Sequence, residues 1–269
     1  MTTEEEGLGS RVEKSWRGLS LRSCHSVGEF RQAVALEKEV WGFDDLDLIP
    51  ARFFVVAEKI GGHLLAAYDV NTMVAFVFGV PGVRAGRVYI HSHMLAVKEP
   101  LRNTGLGREM KLFQRELALA EGYDLIEWTF DPLEIKNAYF NMEKLGTVAR
   151  HYVVNQYGLT TSPLQGGLPT DRLVAEWWLR SARVEETLRT GKRPQTAVAA
   201  QVEIPAQIYR WKAQSETRAL AAEAQRRVRE QFQKYFADGL TVVGYERAAN
   251  GDGSFLLGPW SDAGSSNTE

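Results

Sequence analysis

A single cysteine, Cys24, among 269 residues removes several classes of protein at once. One thiol can form neither an intramolecular disulfide framework nor a thiolate zinc cluster, since each needs at least a pair. Long apolar runs are also missing. None reaches the roughly 18 residues that a membrane-crossing helix requires, so no membrane partner is expected. Neither sign of charge dominates: Lys and Arg number 32 against 34 Asp and Glu, a formal net charge of −2. Nucleic-acid binders carry a basic surplus or stripe, so nucleic acid is not an expected partner. The opening MTTEEEGLGS is acidic and lacks the basic-then-apolar plan of a secretory signal. A cytoplasmic location is expected.

What is present is ordinary core material. Apolar residues make up 44% and charged residues 25%, the proportions of a globular chain able to bury a core. The length suits one large domain, or a domain with an appendage. Residues 1–16 are polar and are expected to be a flexible N-terminus. LSLRSC alternates like a strand, and VGEFRQAVALEKEVWG follows with helical spacing, Phe30, Val34, Leu36 and Val40 forming its stripe and Gly42 its stop. Pro50 opens a second helix, ARFFVVAEKI, which Gly61 and Gly62 end. Three strands come next, HLLAAYDV, TMVAFVFGV and RVYIHSHMLAV, with turn signals at 69–71 and 81–86. LGREMKLFQRELALAEG is an amphipathic helix expected to bury Leu112, Phe113, Leu117 and Ala120.

DLIEWTF then reads as a strand, EIKNAYFNMEKLG as a short helix ending at Gly146, and TVARHYVVNQYG and RLVAEWWL as two more strands. Residues 183–203, with Gly191, Lys192, Arg193 and Pro194, suit a connector. From Pro205 one long helix is expected to about Asp238, with Leu220, Ala224, Val228, Phe232 and Phe236 on its apolar side. At about 1.5 Å per residue it would span about 45–50 Å. A hairpin, LTVVGYER and SFLLGPW, follows, and the composition of 261–269 suits a disordered tail. Successive strands form an antiparallel meander, and the strand–helix–strand section forms a parallel crossover. The expected fold class is α+β, with a mixed, mostly antiparallel central sheet.

The most informative stretch is HSHMLAVKEPLRNTGLG, residues 91–107. Arg102, Asn103, Thr104, Gly105, Leu106, Gly107 and Arg108 lie between a strand ending at Val97 and a helix beginning near Leu106. Glycines let the backbone turn and let a ligand approach it closely. The first amides of a helix lack intrahelical partners and sit at the positive end of its dipole. A strand, glycine loop and helix in this order make an anion seat suited to phosphate or pyrophosphate; a turn of purely structural purpose is the alternative. A Walker loop would need Lys and Ser or Thr after the second glycine, where Arg108 and Glu109 stand. A dinucleotide fingerprint would need a third glycine, where Met110 stands.

This stretch resembles the acyl-CoA-binding core of the GNAT (GCN5-related N-acetyltransferase) superfamily. An apolar strand ending in Val97, then Arg102, Gly105 and Gly107 opening a helix, occupies the family's pattern, and Glu143–Gly146 resembles its second landmark. The likeness spans residues 17–182, with 204–260 a C-terminal helix and hairpin packed on that core. It implies an acyl-CoA-dependent N-acyltransferase, acetyl or succinyl type, whose donor is acetyl-CoA or another short acyl-CoA and which needs no metal. Amides of 102–108 would wrap the pyrophosphate, and backbone groups of Leu95, Ala96 and Val97 would pair with the pantetheine arm. Asn137 and Asn141 would be coenzyme contacts, or solvated helix surface. The acceptor would be a small-molecule amine, amino acids among the candidates, and the long helix could pair two copies into a homodimer. The C-terminal arrangement is similar to a little-characterised bacterial group of GNAT proteins. The alternative function is a non-catalytic acyl-CoA-binding or regulatory module.

Alternation puts His91 and His93 on one face of their strand, with Leu95 and Val97 continuing that face. Imidazole is suited to taking a proton from an attacking amine. HSHMLAV also resembles the His-x-His-x-Leu-Ala-Val strand of arylalkylamine N-acetyltransferases, which implies water-mediated deprotonation by the pair. The alternatives are two hydrogen-bonded strand residues without chemistry, or metal ligands lacking an evident third. Glu127 is a second candidate base. The family's tyrosine acid would fall at Met142; Tyr139, one helical turn earlier, is the substitute candidate. Trp41, Phe43, Phe53 and Phe54 could wall an acceptor pocket or pack in the core, and Arg150, His151 and Arg172 could meet a carboxylate.

Overall fold

The computed structural model describes residues 13–158, 160–162 and 165–261. The chain divides into two compact units, one running to Ile126 and one starting at Glu127. The fold is mixed α+β and mostly antiparallel in its sheets.

In the first unit, β1 (Glu13–Trp16), β2 (Leu19–Ser23), β3 (His63–Asp69), β4 (Thr72–Arg84) and β5 (Arg87–Val97) form an antiparallel meander in chain order. Residues 13–16, expected to be loose, form β1 instead, because Trp16 packs on the buried cluster around Leu21 and Phe113. Residues 1–12 lie outside the described residues. The turn expected over 81–86 is confined to Ala85 and Gly86, both at positive φ. Pro81 stays within β4, opposite Ile90. β3 begins at His63, opposite Gly79, so β4 has no β3 neighbour beyond that point, and a strand edge tolerates proline.

Both faces of this sheet are covered, which explains why β3 is apolar without alternation. On one face lie α1 (Val27–Trp41) and α2 (Ala51–Lys59), packed on Ala66, Tyr68, Phe76, Phe78 and Ala96. α1 begins in a reciprocal Ser26–Glu29 capping box and ends at Gly42, φ 63°. On the other face lies α3 (Leu106–Ala120), packed on Leu65, Ala67, Val77, Leu95 and Val97. Its buried face runs through Leu106, Met110, Lys111, Phe113, Gln114, Leu117 and Ala118. Leu112 is only half-buried and Ala120 is exposed. The expected stripe is therefore rotated, because two polar residues, Lys111 and Gln114, take places on the core side.

The second unit begins within β6 (Leu125–Phe130), where the Trp128 ring meets that of Trp177 on β8 (Arg172–Trp178) edge to face at 5.9 Å. The helix expected over 134–146 is α4 (Ile135–Tyr139), continued by one π-helical turn, Phe140–Lys144. The strand expected over 147–158 shrinks to β7 (Tyr152–Val153) and isolated bridges at Val148 and Ala149. Residues 183–203 hold a helix and a strand: α5 (Ala182–Thr190), capped by Ser181 and Gly191, and β9 (Ala200–Ile204). β9 pairs with β11 (Gly253–Gly258), which pairs with β10 (Thr241–Arg247), all antiparallel.

The long helix is broken. α6 (Ile208–Ala213) stops at Gln214, whose backbone is extended, and α7 (Arg218–Ala237) begins after a short 3-10 turn. α7 has 20 residues, so it spans about 30 Å. It buries Ala221, Ala224, Gln225, Val228 and Phe232, whereas Leu220 is 50% exposed. The Phe232 ring lies between Tyr152, at 5.7 Å, and Phe255, at 5.2 Å. The expected tail, apart from Ser261, lies outside the described residues. Among the described residues no helix is long and apolar enough to cross a membrane.

Candidate functional site

β5 ends at Val97, and a 3-10 turn (Glu99–Leu101) leads to Arg102. The loop then folds on itself. Thr104 Oγ1 donates to the Leu101 carbonyl at 2.7 Å, Arg102 Nε to the Val97 carbonyl at 3.1 Å, and Arg17 Nη1 to the Thr104 carbonyl at 3.4 Å. Asn103 (φ 62°) and Gly105 (φ 100°) supply the turn into α3. Gly105 is the N-cap and has no side chain to cap with; Glu109 N–H makes the bond to its carbonyl at 3.1 Å. The amides of Leu106, Gly107 and Arg108 therefore precede the helical ladder, at the positive end of the helix dipole. Arg102 to Gly105 are exposed. The carboxylate of the first turn, Glu109, is held by Lys14 at 2.7 Å.

The two glycines answer to different constraints. Gly105 needs its φ of 100°, a region that side chains rarely adopt. A Cβ on Gly107 would meet only Leu95 Cδ2 at 3.7 Å and Val97 Cγ2 at 3.8 Å, ordinary contacts. The protein's own packing does not require glycine at 107. Its absence of a side chain keeps the approach to the helix amides open. The exposed loop, open amides and neutralised carboxylate suit a pyrophosphate.

β5 carries a bulge beside this loop. Phe78 pairs with Met94 and Gly79 with Ser92, so His93 is the extra residue. The bulge corrects the expected alternation. Leu95 and Val97 face α3, within the Phe113 cluster, whereas Met94 and Ala96 face α1 and α2. His93 lies edge-on to Phe78, in the α1–α2 cluster, at 6.4 Å, and the His91 and His93 rings are 5.9 Å apart. The histidines do share a face, but it is not that of Leu95 and Val97. Loss of water around the ring pushes His91 down to about 4, and the charges of His93 and Lys111 act in the same direction. His93, although exposed at the surface, is lowered in the same direction. The neutral form of each ring therefore predominates at pH 7.

Ser92, between them, turns to the opposite face. Its hydroxyl donates to Gln114 Oε1 at 2.8 Å and accepts from Lys111 Nζ at 2.9 Å; Lys111 also donates to Gln114 Oε1 at 3.1 Å. All three side chains are buried. Their burial was hidden in the sequence, where a lysine and a glutamine on a helix suggest the solvated side.

On the α1–α2 face the aromatic residues divide. Phe54 is buried edge-on to Phe78 at 4.8 Å, Phe53 is half-exposed and touches Phe78 at 6.1 Å, and Trp41 stacks on Phe43 at 6.0 Å. Glu37 is buried on α1 and accepts from the Ile49 amide at 3.2 Å; burial pushes its carboxyl up to about 7.

Glu127, Asn137, Tyr139 and Asn141 belong to the second unit. Glu127 is buried on β6, and Asn137 is exposed on α4. Tyr139 is half-buried, with Lys144 and Arg247 over its ring at 5.4 and 5.8 Å. Asn141 is buried in the π turn with its Nδ2 unpartnered. Met142 is fully buried, Thr147 Oγ1 pointing at its sulfur from 3.7 Å. Glu143 accepts from Arg193 and from the Tyr245 amide, and the Gly146 carbonyl accepts from Arg183, so α5 and β10 hold this landmark. Arg150 is bidentate on Glu176, His151 lies 3.7 Å from the same carboxylate, and Arg172 donates to Gln165 and the Asp171 carbonyl.

In class, this is a mixed α+β protein with a glycine-capped helix entrance next to a bulged strand that carries two neutral imidazoles. No protein-family profile matches the chain, and no curated protein matches it. Among solved structures the chain is similar to the ribosomal-protein-S18-alanine N-acetyltransferase from Escherichia coli, at 15% identity and a TM-score of 0.47, over 61% of this chain and 96% of that one. It is also similar to an N-acetyltransferase from Staphylococcus aureus Mu50, at 11% identity and 0.48, over 60% and 99%. A third is the aminoglycoside 6'-acetyltransferase type Ii, at 16% and 0.47, over 60% and 97%.

Proposed function

We propose that this chain is a GNAT-type N-acyltransferase that moves an acyl group from acetyl-CoA or another short acyl-CoA to the amine of a small molecule, with amino acids among the candidate acceptors. The observation that carries this reading is the open, glycine-capped start of α3 directly after the strand bearing His91 and His93. In this reading amides from Arg102 to Arg108 bind the pyrophosphate, and Leu95, Ala96 and Val97 line the pantetheine. Acyl-CoA would supply an activated carbonyl and a thiolate leaving group. His91 or His93, neutral at pH 7, accepts a proton from the attacking amine directly or through one water, as nitrogen bonds to the carbonyl carbon. The proton is then available to the departing thiolate, giving amide and free coenzyme. Tyr139 is the proposed donor to that thiolate, Asn137 and Asn141 the proposed coenzyme contacts, and Glu127 the alternative base. Association as a homodimer and a cytoplasmic location complete the proposal.

The second reading, a non-catalytic acyl-CoA-binding module, is favoured by Met142, buried where the family's tyrosine acid would stand. One experiment separates the two. The full chain is titrated calorimetrically with coenzyme A, then incubated with acetyl- or succinyl-CoA and pooled amines and amino acids, and products are read by mass spectrometry. Binding together with an acylated product supports transfer. Binding without product across the panel supports the module, and no binding overturns both.

A further inference from the structure

β5 presents two chemistries on opposite faces at adjacent residues. His91 and His93 face α1 and α2, while Ser92 between them faces α3. A regular strand would place Ser92 with Met94 and Ala96; only the extra residue at His93 turns it toward α3. What meets it there is a lysine in a core position, where burial pushes its amine well below the usual lysine pKa. Lys111 is 3% exposed and Gln114 fully buried. A leucine or methionine would fill such a helix position without the cost of desolvating an ammonium group. Opposite the bulge, a Cβ on Gly79 would come within 2.9 Å of both Gln114 Nε2 and Ile90 Cγ2, so Gln114 is pressed against the backbone at this point.

From this geometry we infer that Lys111, with Ser92 and Gln114, is a positioning group of the transfer site: it locks the bulge that holds His91 and His93 together on the acceptor side of the sheet. The inference rests on the acyl-transfer reading for its functional consequence, not for its geometry. Lys111 acts through Ser92, whose hydroxyl accepts from its Nζ at 2.9 Å. Within the first unit, the other titratable groups on this strand and the helices packed against it are Arg87, Tyr89 and His93 on β5, Arg108, Glu109, Arg115 and Glu116 on α3, and Glu29, Arg31, Glu37, Lys38 and Glu39 on α1; β4 has none between Thr72 and Val83.

The test uses the full chain with Lys111→Met and Ser92→Ala, each verified as folded by circular dichroism. Histidine side-chain NMR resonances are followed through a pH titration, and kcat and KM are measured alongside. In both variants the His91 and His93 resonances shift, and kcat falls about 10- to 100-fold while KM for acyl-CoA holds. Histidine resonances and midpoints identical to wild type in folded variants would overturn the inference. If Lys111→Met fails to fold, Ser92→Ala decides, because it leaves the lysine in place. If the wild-type chain transfers no acyl group at all, the functional reading fails, and the titration still decides whether Lys111 positions the rings.

Discussion

His91 and His93 lie with ring centroids 5.9 Å apart and planes inclined by 37°, neighbours on one face of β5 although the strand is bulged between Ser92 and Met94. Burial opposes protonation of His91, and the neighbouring His93 opposes it further. His91 is accordingly held down to about 4. With His91 as the base, the acid limb of kcat/KM should therefore fall near pH 4, below the ordinary histidine value near 6.5. The double variant His91→Ala/His93→Ala should lose about 10²–10⁴-fold in kcat while binding coenzyme A as wild type does. Unchanged turnover would remove both residues from the chemistry.

The loop glycines should separate in mutagenesis. Gly107→Ala places its methyl at ordinary contact distance from Leu95 and Val97, so its melting temperature should stay near wild type while coenzyme affinity drops about tenfold or more. Gly105→Ala forces a side chain into φ 100° and should cost about 1–2 kcal/mol of stability. Calorimetric titration and thermal melts of both proteins read these outcomes. Equal affinity in Gly107→Ala would mean that nothing approaches these amides.

Glu37 gives the first unit a pH dependence. Its carboxyl rises from 4.5 in the unfolded chain to about 7 in the fold. A raised acid binds its proton more tightly when folded, so stability is greatest below pH 4.5 for this group and declines as pH climbs toward 7. Glu37→Gln keeps an acceptor for the Ile49 amide and should flatten that slope, making the variant more stable than wild type at pH 8. Urea melts at pH 5 and pH 8 measure the difference; parallel losses in both proteins would count against the assignment.

In the second unit, Lys212 is buried between Asp131 at 3.0 Å and Glu134 at 2.9 Å. Lys212→Met would leave the Asp131 carboxylate buried without its cation, and should cost about 3 kcal/mol or more. The double variant Lys212→Met/Asp131→Asn should recover a large part of that loss. Denaturant midpoints of the two variants check the coupling.

Elements with strong periodicity and caps are legible in the sequence alone. α1 runs between Ser26 and Gly42, β5 spans the expected RVYIHSHMLAV, and α3 starts at the glycine loop. The structure departs from the expected elements where one residue changes the geometry. The π turn after Tyr139 and the break at Gln214 carry no proline or glycine to announce them. α5 and β9 were masked by the Gly191–Pro194 stretch between them.

The amino-acid order by itself determined the glycine entrance to α3 and the adjacency of two histidines, because turn chemistry and strand membership are local properties of a few consecutive residues. Tertiary structure alone decided which side of the sheet those histidines face and that Lys111 and Gln114 lie inside. A bulge is set by pairing with β4, and burial by what packs across from it; neither is encoded in the spacing along one segment.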